Sequence, residues 1–168
     1  MSQNIRSMKN IFLLVCLFTS VLFSQSPVPP GAVVAKIDSG FQFVEGPVWN
    51  DEIGLLFSDV WPGTIYNWAP GKGSKRIFLK PSDSSNGLTY DLNGNLILTQ
   101  MQKRRISRRL KDGTITPIVE TFRGKKFNSP NDLVVKSDGS LFFTDPDFNT
   151  PSGEKKEMGF KGVFRLGA

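Results

Sequence analysis

The stretch that decides the fold is Asn-Asp-Leu-Val-Val-Lys-Ser-Asp-Gly-Ser-Leu-Phe-Phe-Thr-Asp, residues 131–145. Two runs of apolar and β-branched residues flank an Asp-Gly turn, which supplies the positive φ that a tight hairpin requires. A related arrangement occurs twice earlier in the chain, in residues 86–100 and 45–59. The pattern therefore predicts a repeated antiparallel hairpin.

The three copies keep a regular spacing. Their first residues, Glu45, Asn86 and Asn131, lie 41 and 45 positions apart. The leucine that opens the second strand of each copy keeps the same two intervals: Leu55, Leu96 and Leu141. A second hairpin is predicted after the first two copies, at residues 64–79 and 105–122, and a third strand at Gly162–Leu166 after the last.

Four strands every 41–45 residues is the blade spacing of a β-propeller. We therefore predict an all-β fold with about three four-stranded blades. Because propellers close with typically 4–8 blades, we expect the chain to be truncated or to be the N-terminal part of a longer one. A half-propeller that pairs with a second copy is the alternative.

Three segments are predicted along the chain. Residues 1–26 combine a basic start with an apolar run of about 13 residues, too short to span a bilayer as a helix, and indicate a signal peptide. An uncleaved anchor and lipidation at Cys16 are the alternatives. Residues 27–40 are predicted to be a linker and first strand, and residues 41–168 the partial propeller. The expected location is secreted or periplasmic, with no membrane span left after signal cleavage.

The amino-acid composition excludes several kinds of catalytic and structural site. The chain has no histidine and a single cysteine, which excludes, for this chain alone, a Ser-His-Asp triad, a histidine zinc site and an internal disulfide. A basic cluster at residues 103–111 is interpreted as a solvated blade edge rather than a nucleic-acid footprint, so no nucleic-acid partner is predicted. The long connection at residues 147–161 is predicted to be either a lid over the channel or a mobile surface insertion.

The repeat places Glu45, Asn86 and Asn131 at equivalent positions, ahead of the strand that lines a propeller channel. One carboxylate and two amide carbonyls are the hard oxygen donors that Ca²⁺ or Mg²⁺ prefers. The alternative is turn chemistry at the asparagines and a solvent-facing Glu45. Asp59 and Asp145, which end the second strands, are interpreted as blade-to-blade structural groups.

Three motifs carry a resemblance to a known family: residues 45–49, 86–88 and, most specifically, 128–146. They resemble the gluconolactonase family, which includes regucalcin, also called senescence marker protein. The resemblance covers nearly all of the chain after the predicted signal. It implies a six-bladed propeller, a divalent cation in the channel (Ca²⁺, with Mg²⁺ or Zn²⁺ as alternatives) and hydrolysis of a small-molecule lactone by a monomeric full-length protein.

The resemblance also implies residue roles. We call Glu45, Asn86 and Asn131, which hold equivalent positions around the predicted channel, the ring residues. Glu45 matches a metal ligand, and Asn131 matches an asparagine that binds metal or substrate. Asn86 is assigned to substrate binding. The family's acid/base aspartate comes from a later blade, so no catalytic residue is assigned within this chain. Ser129 stands where some members have an arginine. The alternative function is a non-catalytic propeller that binds a ligand or partner on its channel face.

Overall fold

The computed structural model describes residues 27–167, and the predicted signal peptide at residues 1–26 lies outside them. The chain divides into two units, residues 1–36 and residues 37–168. Within the described part, no helix is long and apolar enough to cross a membrane.

The predicted strand within residues 27–40 is wrong. This segment contains one turn, closed by Ala32 N–H donating to the Pro29 carbonyl, and otherwise irregular backbone. Val33 and Val34 are fully or almost fully exposed. A strand requires a neighbouring strand to satisfy its backbone groups, and none of the described strands pairs with this segment. The first strand begins at Val44.

Three antiparallel sheets follow one another along the chain, each with its strands in sequence order, and a small two-stranded ribbon lies between the second and third. We call these sheets blades 1, 2 and 3. Blade 1 contains β1 (Val44–Asn50), β2 (Gly54–Asp59), β3 (Thr64–Trp68) and β4 (Arg76–Leu79). Blade 2 contains β5 (Ser85–Tyr90), β6 (Leu96–Gln100), β7 (Arg105–Arg109) and β8 (Ile115–Val119). The ribbon pairs β9 (Thr121–Phe122) with β10 (Lys125–Lys126), and blade 3 contains β11 (Leu133–Val135), β12 (Leu141–Asp145) and β13 (Gly162–Leu166).

The blades are built from the predicted hairpins, and the all-β propeller prediction is confirmed. A 3-10 turn, Met101–Lys103, joins β6 to β7. It ends at Arg104, whose φ is 56°.

Blade 2 is buried on both faces because side chains alternate along a strand. Leu96 and Leu98 of β6 pack in one apolar cluster, with Leu56, Ile65 and Leu88. Ile97, which lies between them, packs in a second cluster. That second cluster contains residues of blades 2 and 3 and of their connections: Ile106, Phe127, Leu133, Leu141, Phe143 and Met158. These two clusters hold successive blades together.

The basic cluster at residues 103–111 is not wholly solvated, which corrects the sequence prediction. Arg104 is 1% exposed. Its guanidinium donates to the carbonyl of Phe127 at 2.5 Å and to the Glu154 carboxylate at 2.8 Å. A buried arginine requires such partners, because an unpaired buried charge is strongly destabilising.

Contacts of the same kind argue against one of the two interpretations of residues 147–161, the mobile surface insertion. Besides the Arg104–Glu154 ion pair, the Glu157 carboxylate accepts a hydrogen bond from the Lys126 backbone N–H at 2.9 Å. Met158 is 6% exposed and belongs to the apolar cluster of blade 3. The connection is therefore packed against the propeller by an ion pair and an apolar anchor, and it is not a free insertion.

Candidate functional site

Glu45 and Asn86 lie at matching irregularities in the first strands of blades 1 and 2. The register between β1 and β2 shifts between Glu45 and Val48, and that between β5 and β6 shifts between Ser85 and Leu88. Such bulges change the direction in which a side chain points, and they are common beside functional sites. Asn131 lies just before β11, where its N–H donates to the Thr144 carbonyl at 2.9 Å.

The backbones of these residues approach one another across the blade boundaries. Gly87 N–H donates to the Asn131 carbonyl at 2.7 Å. A Cβ added at Gly46 would lie 2.1 Å from the carbonyl oxygen of Asn86. The residue after each of the first two ring positions is therefore a glycine because the next blade's backbone occupies the space of a side chain. Glu45, Asn86 and Asn131 thus lie at the same end of three successive blades, as the repeat predicted.

A buried hydroxyl of one blade forms a hydrogen bond with the backbone of the next blade at both blade boundaries. The sequence interpretation missed these contacts. Ser58 Oγ donates to the Asn86 carbonyl at 2.8 Å, and Thr99 Oγ1 donates to the Asn131 carbonyl at 3.0 Å. Both hydroxyls are fully buried. The signal was present in the repeat, since Ser58, Thr99 and Thr144 each stand 13 residues after the ring residue of their own blade.

The side chains of the three ring residues have no partner within the described part of the chain. The Glu45 carboxylate and the Asn86 and Asn131 amides form no hydrogen bond or ion pair with residues 27–167. Other asparagines of the blades do bind protein groups; the Asn67 amide, for example, donates to the Ile53 carbonyl at 2.6 Å. The polar atoms of these three side chains are therefore not bonded to protein groups of residues 27–167, and Asn86 is 2% exposed.

The aspartates at the ends of the second strands are structural groups. Asp59 accepts from the N–H groups of Gln42 and Phe43, at 3.1 and 2.8 Å. Asp145 accepts from those of Asn128 and Ser129, at 2.8 and 2.7 Å. Each contact lies within one blade, between the end of the second strand and the segment that leads into the first. The sequence interpretation expected a structural role, but between blades.

In blade 2 the end of the second strand is also joined to the segment that leads into the first strand, but through a side-chain amide and not a carboxylate. Gln100 occupies the equivalent position, and its amide N–H donates to the Asp83 carboxylate at 2.8 Å. Burial is the largest influence on Asp145 and raises the pKa of its carboxyl, against the lowering effect of the two N–H donors. Asp145 is 1% exposed and occupied by these backbone groups, which makes it unsuitable as a mobile general acid.

The carboxylate of Asp132, which follows Asn131, is hydrogen-bonded to the backbone of the next residue. Its Oδ1 accepts from the Leu133 N–H at 2.8 Å. Among residues 27–167, no group of three or more His, Cys, Asp or Glu side chains could hold a metal ion. A cation site at the ring would therefore depend on the Asn86 and Asn131 amides beside the single carboxylate of Glu45.

A family model described as the SMP-30/Gluconolactonase/LRE-like region matches residues 43–168. The chain belongs to this family. A gluconolactonase of Zymomonas mobilis subsp. mobilis is 36% identical to it over 155 residues, which cover 79% of this chain and 42% of the relative. The family assignment made from the 45–49, 86–88 and 128–146 motifs is confirmed.

Solved structures of the same family share the fold. A gluconolactonase from Xanthomonas campestris superposes with a TM-score of 0.70 at 30% identity, covering 76% of this chain and 44% of the other. A structural-genomics structure from the gluconolactonase family gives a TM-score of 0.75 at 34% identity, covering 83% and 50%. The chain thus spans half the length of these relatives or less.

Proposed function

We propose that the protein containing this chain hydrolyses a lactone, and that Glu45, Asn86 and Asn131 belong to its active site. The observation that carries the proposal is the alignment of these three residues at one end of successive blades, with no partner for any of their side chains among residues 27–167. Family membership and the gluconolactonase relatives give the reaction class.

The ring residues fit a divalent cation of the Ca²⁺ type. One carboxylate and two amide oxygens are hard donors, and Ca²⁺ accepts such mixed oxygen ligands in flexible geometry. Glu45 and Asn131 are the residues that would hold it. When bound, the cation would polarise the lactone carbonyl and stabilise negative charge that develops on its oxygen. The family assignment leaves Mg²⁺ and Zn²⁺ as alternatives.

The chain's own residues would bind and orient the substrate. The Asn86 and Asn131 amides offer N–H donors for ring or hydroxyl oxygens of a lactone. The glycine contacts and the buried Ser58 and Thr99 hydroxyls hold both asparagine backbones in place. A preorganised donor of this kind contributes to catalysis because it needs no reorganisation when the reaction occurs.

Lactone hydrolysis by the protein of the full reading frame tests the proposal. We expect ring opening of D-glucono-δ-lactone, followed by proton release, and its loss on chelation with restoration by Ca²⁺. Glu45→Gln should lower the affinity for Ca²⁺, measured by calorimetry, because the ring loses its one negative charge. Glu52→Gln is the matched control, since Glu52 is exposed beside the turn at the opposite end of β1.

Two results would contradict the proposal. Hydrolysis that is unaffected by chelation would exclude the role of the cation. Binding of Ca²⁺ without hydrolysis of any lactone would support the other functional class, a propeller that binds a ligand without catalysis.

We further propose that the protein is exported, on the evidence of the basic and apolar pattern of residues 1–26. N-terminal sequencing of the protein recovered from the periplasm or medium of an expression host should show that this segment has been removed. Recovery of the intact N terminus from the cytoplasm would contradict it.

A further inference from the structure

A cavity of about 270 Å³ lies between blades 1 and 2, apart from the site described above. Residues of the β1–β2, β5–β6 and β7–β8 turns line it. These turns are at the end of the blades opposite Glu45 and Asn86. Both blades that form the cavity have all four strands. The cavity is therefore a boundary between two complete neighbours and not the open edge of a blade.

Three residues stand side by side on the face that blade 2 turns toward blade 1. Leu96 pairs with Tyr90 on one neighbouring strand and with Arg109 on the other. Directly paired residues of antiparallel strands lie on the same face, with Cβ atoms about 4.5–5.5 Å apart. Leu96 packs in the apolar cluster that contains Leu56 of blade 1, which sets the direction of that face. Tyr90 and Arg109 accordingly both line the cavity.

The guanidinium of Arg109 has a stacking partner but no acceptor. It lies over the ring of Phe78 in blade 1, with 4.7 Å between its Cζ atom and the ring centroid. This contact uses the face of the guanidinium, whereas its N–H donors point outward in the plane. Among residues 27–167, Arg109 forms no hydrogen bond or ion pair. The other three arginines of this region each pair with a carboxylate: Arg104 with Glu154, Arg105 with Glu120 and Arg108 with Asp91.

Two polar atoms of the cavity wall are enclosed and have no partner in the described part of the chain, the Tyr90 phenol oxygen and the Arg109 Nε. Burial raises the pKa of Tyr90 more than the charge of Arg109 lowers it, so the phenol keeps its proton at neutral pH. Enclosed polar atoms are rarely unpaired in native proteins, and an unpaired one calls for a partner such as a bound ion. Because both groups are donors, the partner that they need is an acceptor.

The repeat shows that the fold does not require a cation at this position. The residue that pairs with the first leucine of the second strand is Trp68 in blade 1, Arg109 in blade 2 and Leu166 in blade 3. Leu166 packs against the apolar cluster between blades 2 and 3. An apolar side chain thus satisfies the packing of one blade on the next, and the arginine indicates a role other than packing.

We propose that this cavity binds a small organic carboxylate with an apolar body. The edge of the Arg109 guanidinium presents paired N–H donors that match the two oxygens of a carboxylate. Lys111 supplies a second cation, and Glu52 is the one acidic residue among those that line the cavity, so its charge is positive overall. An anion is therefore favoured over a neutral or cationic ligand.

The rest of the wall sets the size and the character of the ligand. Ile53, Phe78 and Leu96 line the cavity and would remove the apolar body from water. The cavity volume lies just below the roughly 300–1,000 Å³ that is usual for small-molecule sites. The ligand class is accordingly a compact aromatic or branched aliphatic acid.

Binding of benzoate tests this site without reference to lactone hydrolysis. Benzamide is the uncharged counterpart of benzoate, and acetate has the charge without the ring. Calorimetry is performed on the protein of the full reading frame after removal of divalent cations, so that no carboxylate binds a cation held at Glu45. We expect benzoate to bind about tenfold more tightly than either benzamide or acetate, because each of them lacks one of the two interactions.

Two variants of the cavity and one matched control locate the bound benzoate. Arg109→Gln should weaken its binding about tenfold, as for the loss of a hydrogen bond to a charged group. Arg123→Gln should not change it; Arg123 also lies over an aromatic ring, that of Phe122 at 5.1 Å, but does not line the cavity. Lys111→Gln changes an exposed side chain and should weaken binding about twofold. This variant keeps the test decisive if Arg109→Gln does not fold.

Equal affinity for benzoate and benzamide, or an equal loss in Arg109→Gln and Arg123→Gln, would overturn the proposal. Benzoate binding that is lost in Glu45→Gln and kept in Arg109→Gln would also overturn it, because the ligand would then lie at the ring residues. Acetate that binds as tightly as benzoate would exclude the apolar body and with it the proposed ligand class.

Discussion

Gly87 lies directly against the backbone of Asn131. Its N–H donates to the Asn131 carbonyl at 2.7 Å, and a Cβ at position 87 would lie 2.8 Å from the same oxygen. The close packing of blades 2 and 3 therefore requires a glycine at position 87, because the Asn131 carbonyl occupies the space of a side chain. The same contact places two of the proposed ligand-binding residues, Asn86 and Asn131, beside each other.

Gly87→Ala should destabilise the protein by about 1–3 kcal/mol, the usual effect of overpacking. The conflict is with backbone atoms of Asn131 and Asp132, which cannot be relieved by rotating a side chain. Thermal unfolding followed by circular dichroism would measure it. Gly159→Ala is the control, because a Cβ at Gly159 meets no atom within 4 Å; equal melting temperatures for the two variants would contradict the prediction.

Thr99→Val should also lower stability, through a different cause. The Thr99 hydroxyl accepts from the Asn86 N–H at 3.1 Å and donates to the Asn131 carbonyl at 3.0 Å. Valine keeps the shape but leaves these buried groups without that partner, which costs about 1–3 kcal/mol. Denaturant unfolding of this variant and of Thr116→Val, at an exposed position in β8, gives the comparison. A loss of equal size in both would mean that the hydroxyl bridge contributes nothing.

Asp59→Ala should loosen the entry to β1. Two backbone N–H groups, those of Gln42 and Phe43, would lose their common acceptor. We expect a loss of about 2 kcal/mol, in the range for hydrogen bonds to a charged group, and faster amide hydrogen exchange at residues 42 and 43. Asp51→Ala is the control, since Asp51 is exposed and accepts from the Trp49 indole. Unchanged exchange at residues 42 and 43 would exclude this role for Asp59.

The Arg104–Glu154 ion pair predicts a pH dependence of stability. The hydrogen bond from Arg104 is the largest of the influences that lower the pKa of Glu154 below its usual 4.5. A lowered carboxyl pKa contributes stability above the unfolded value and loses it as the pH falls through the folded value. The melting temperature of the unmodified protein should therefore exceed that of Glu154→Gln at pH 7, and the difference should disappear as the pH falls below 4.5.

Glu52→Gln serves as the control for this titration, because Glu52 is exposed. A difference between the unmodified protein and Glu154→Gln that stays constant from pH 7 to pH 3 would show that the charge of Glu154 does not stabilise the fold.

The strands were predictable because each carries a local signal. Hairpins such as β11–β12 combine a period of two with an Asp-Gly turn, and both features act within a few residues. The predicted strand within residues 27–40 failed for the opposite reason. Val33 and Val34 have the composition of a strand, but pairing depends on a neighbour that local sequence does not specify.

The ring of Glu45, Asn86 and Asn131 was predictable because a repeat converts equal positions in sequence into equal positions in space. The burial of Arg104 was not. Its neighbours Lys103 and Arg105 share its composition, and only the packing of residues 147–161 against the propeller distinguishes it.

By itself, the sequence determined the strand pattern, the 41- and 45-residue repeat, the family and the three candidate ligand-binding residues, since each of these is written in residue type and spacing. Only the tertiary structure decided which polar side chains are hydrogen-bonded to other protein groups. Asp59 and Asp145 are held by backbone N–H groups, whereas Glu45, Asn86 and Asn131 have no partner among the described residues. The physical reason is that a hydrogen bond depends on distance and direction between groups far apart in the chain, and only the packing of one blade on the next sets both.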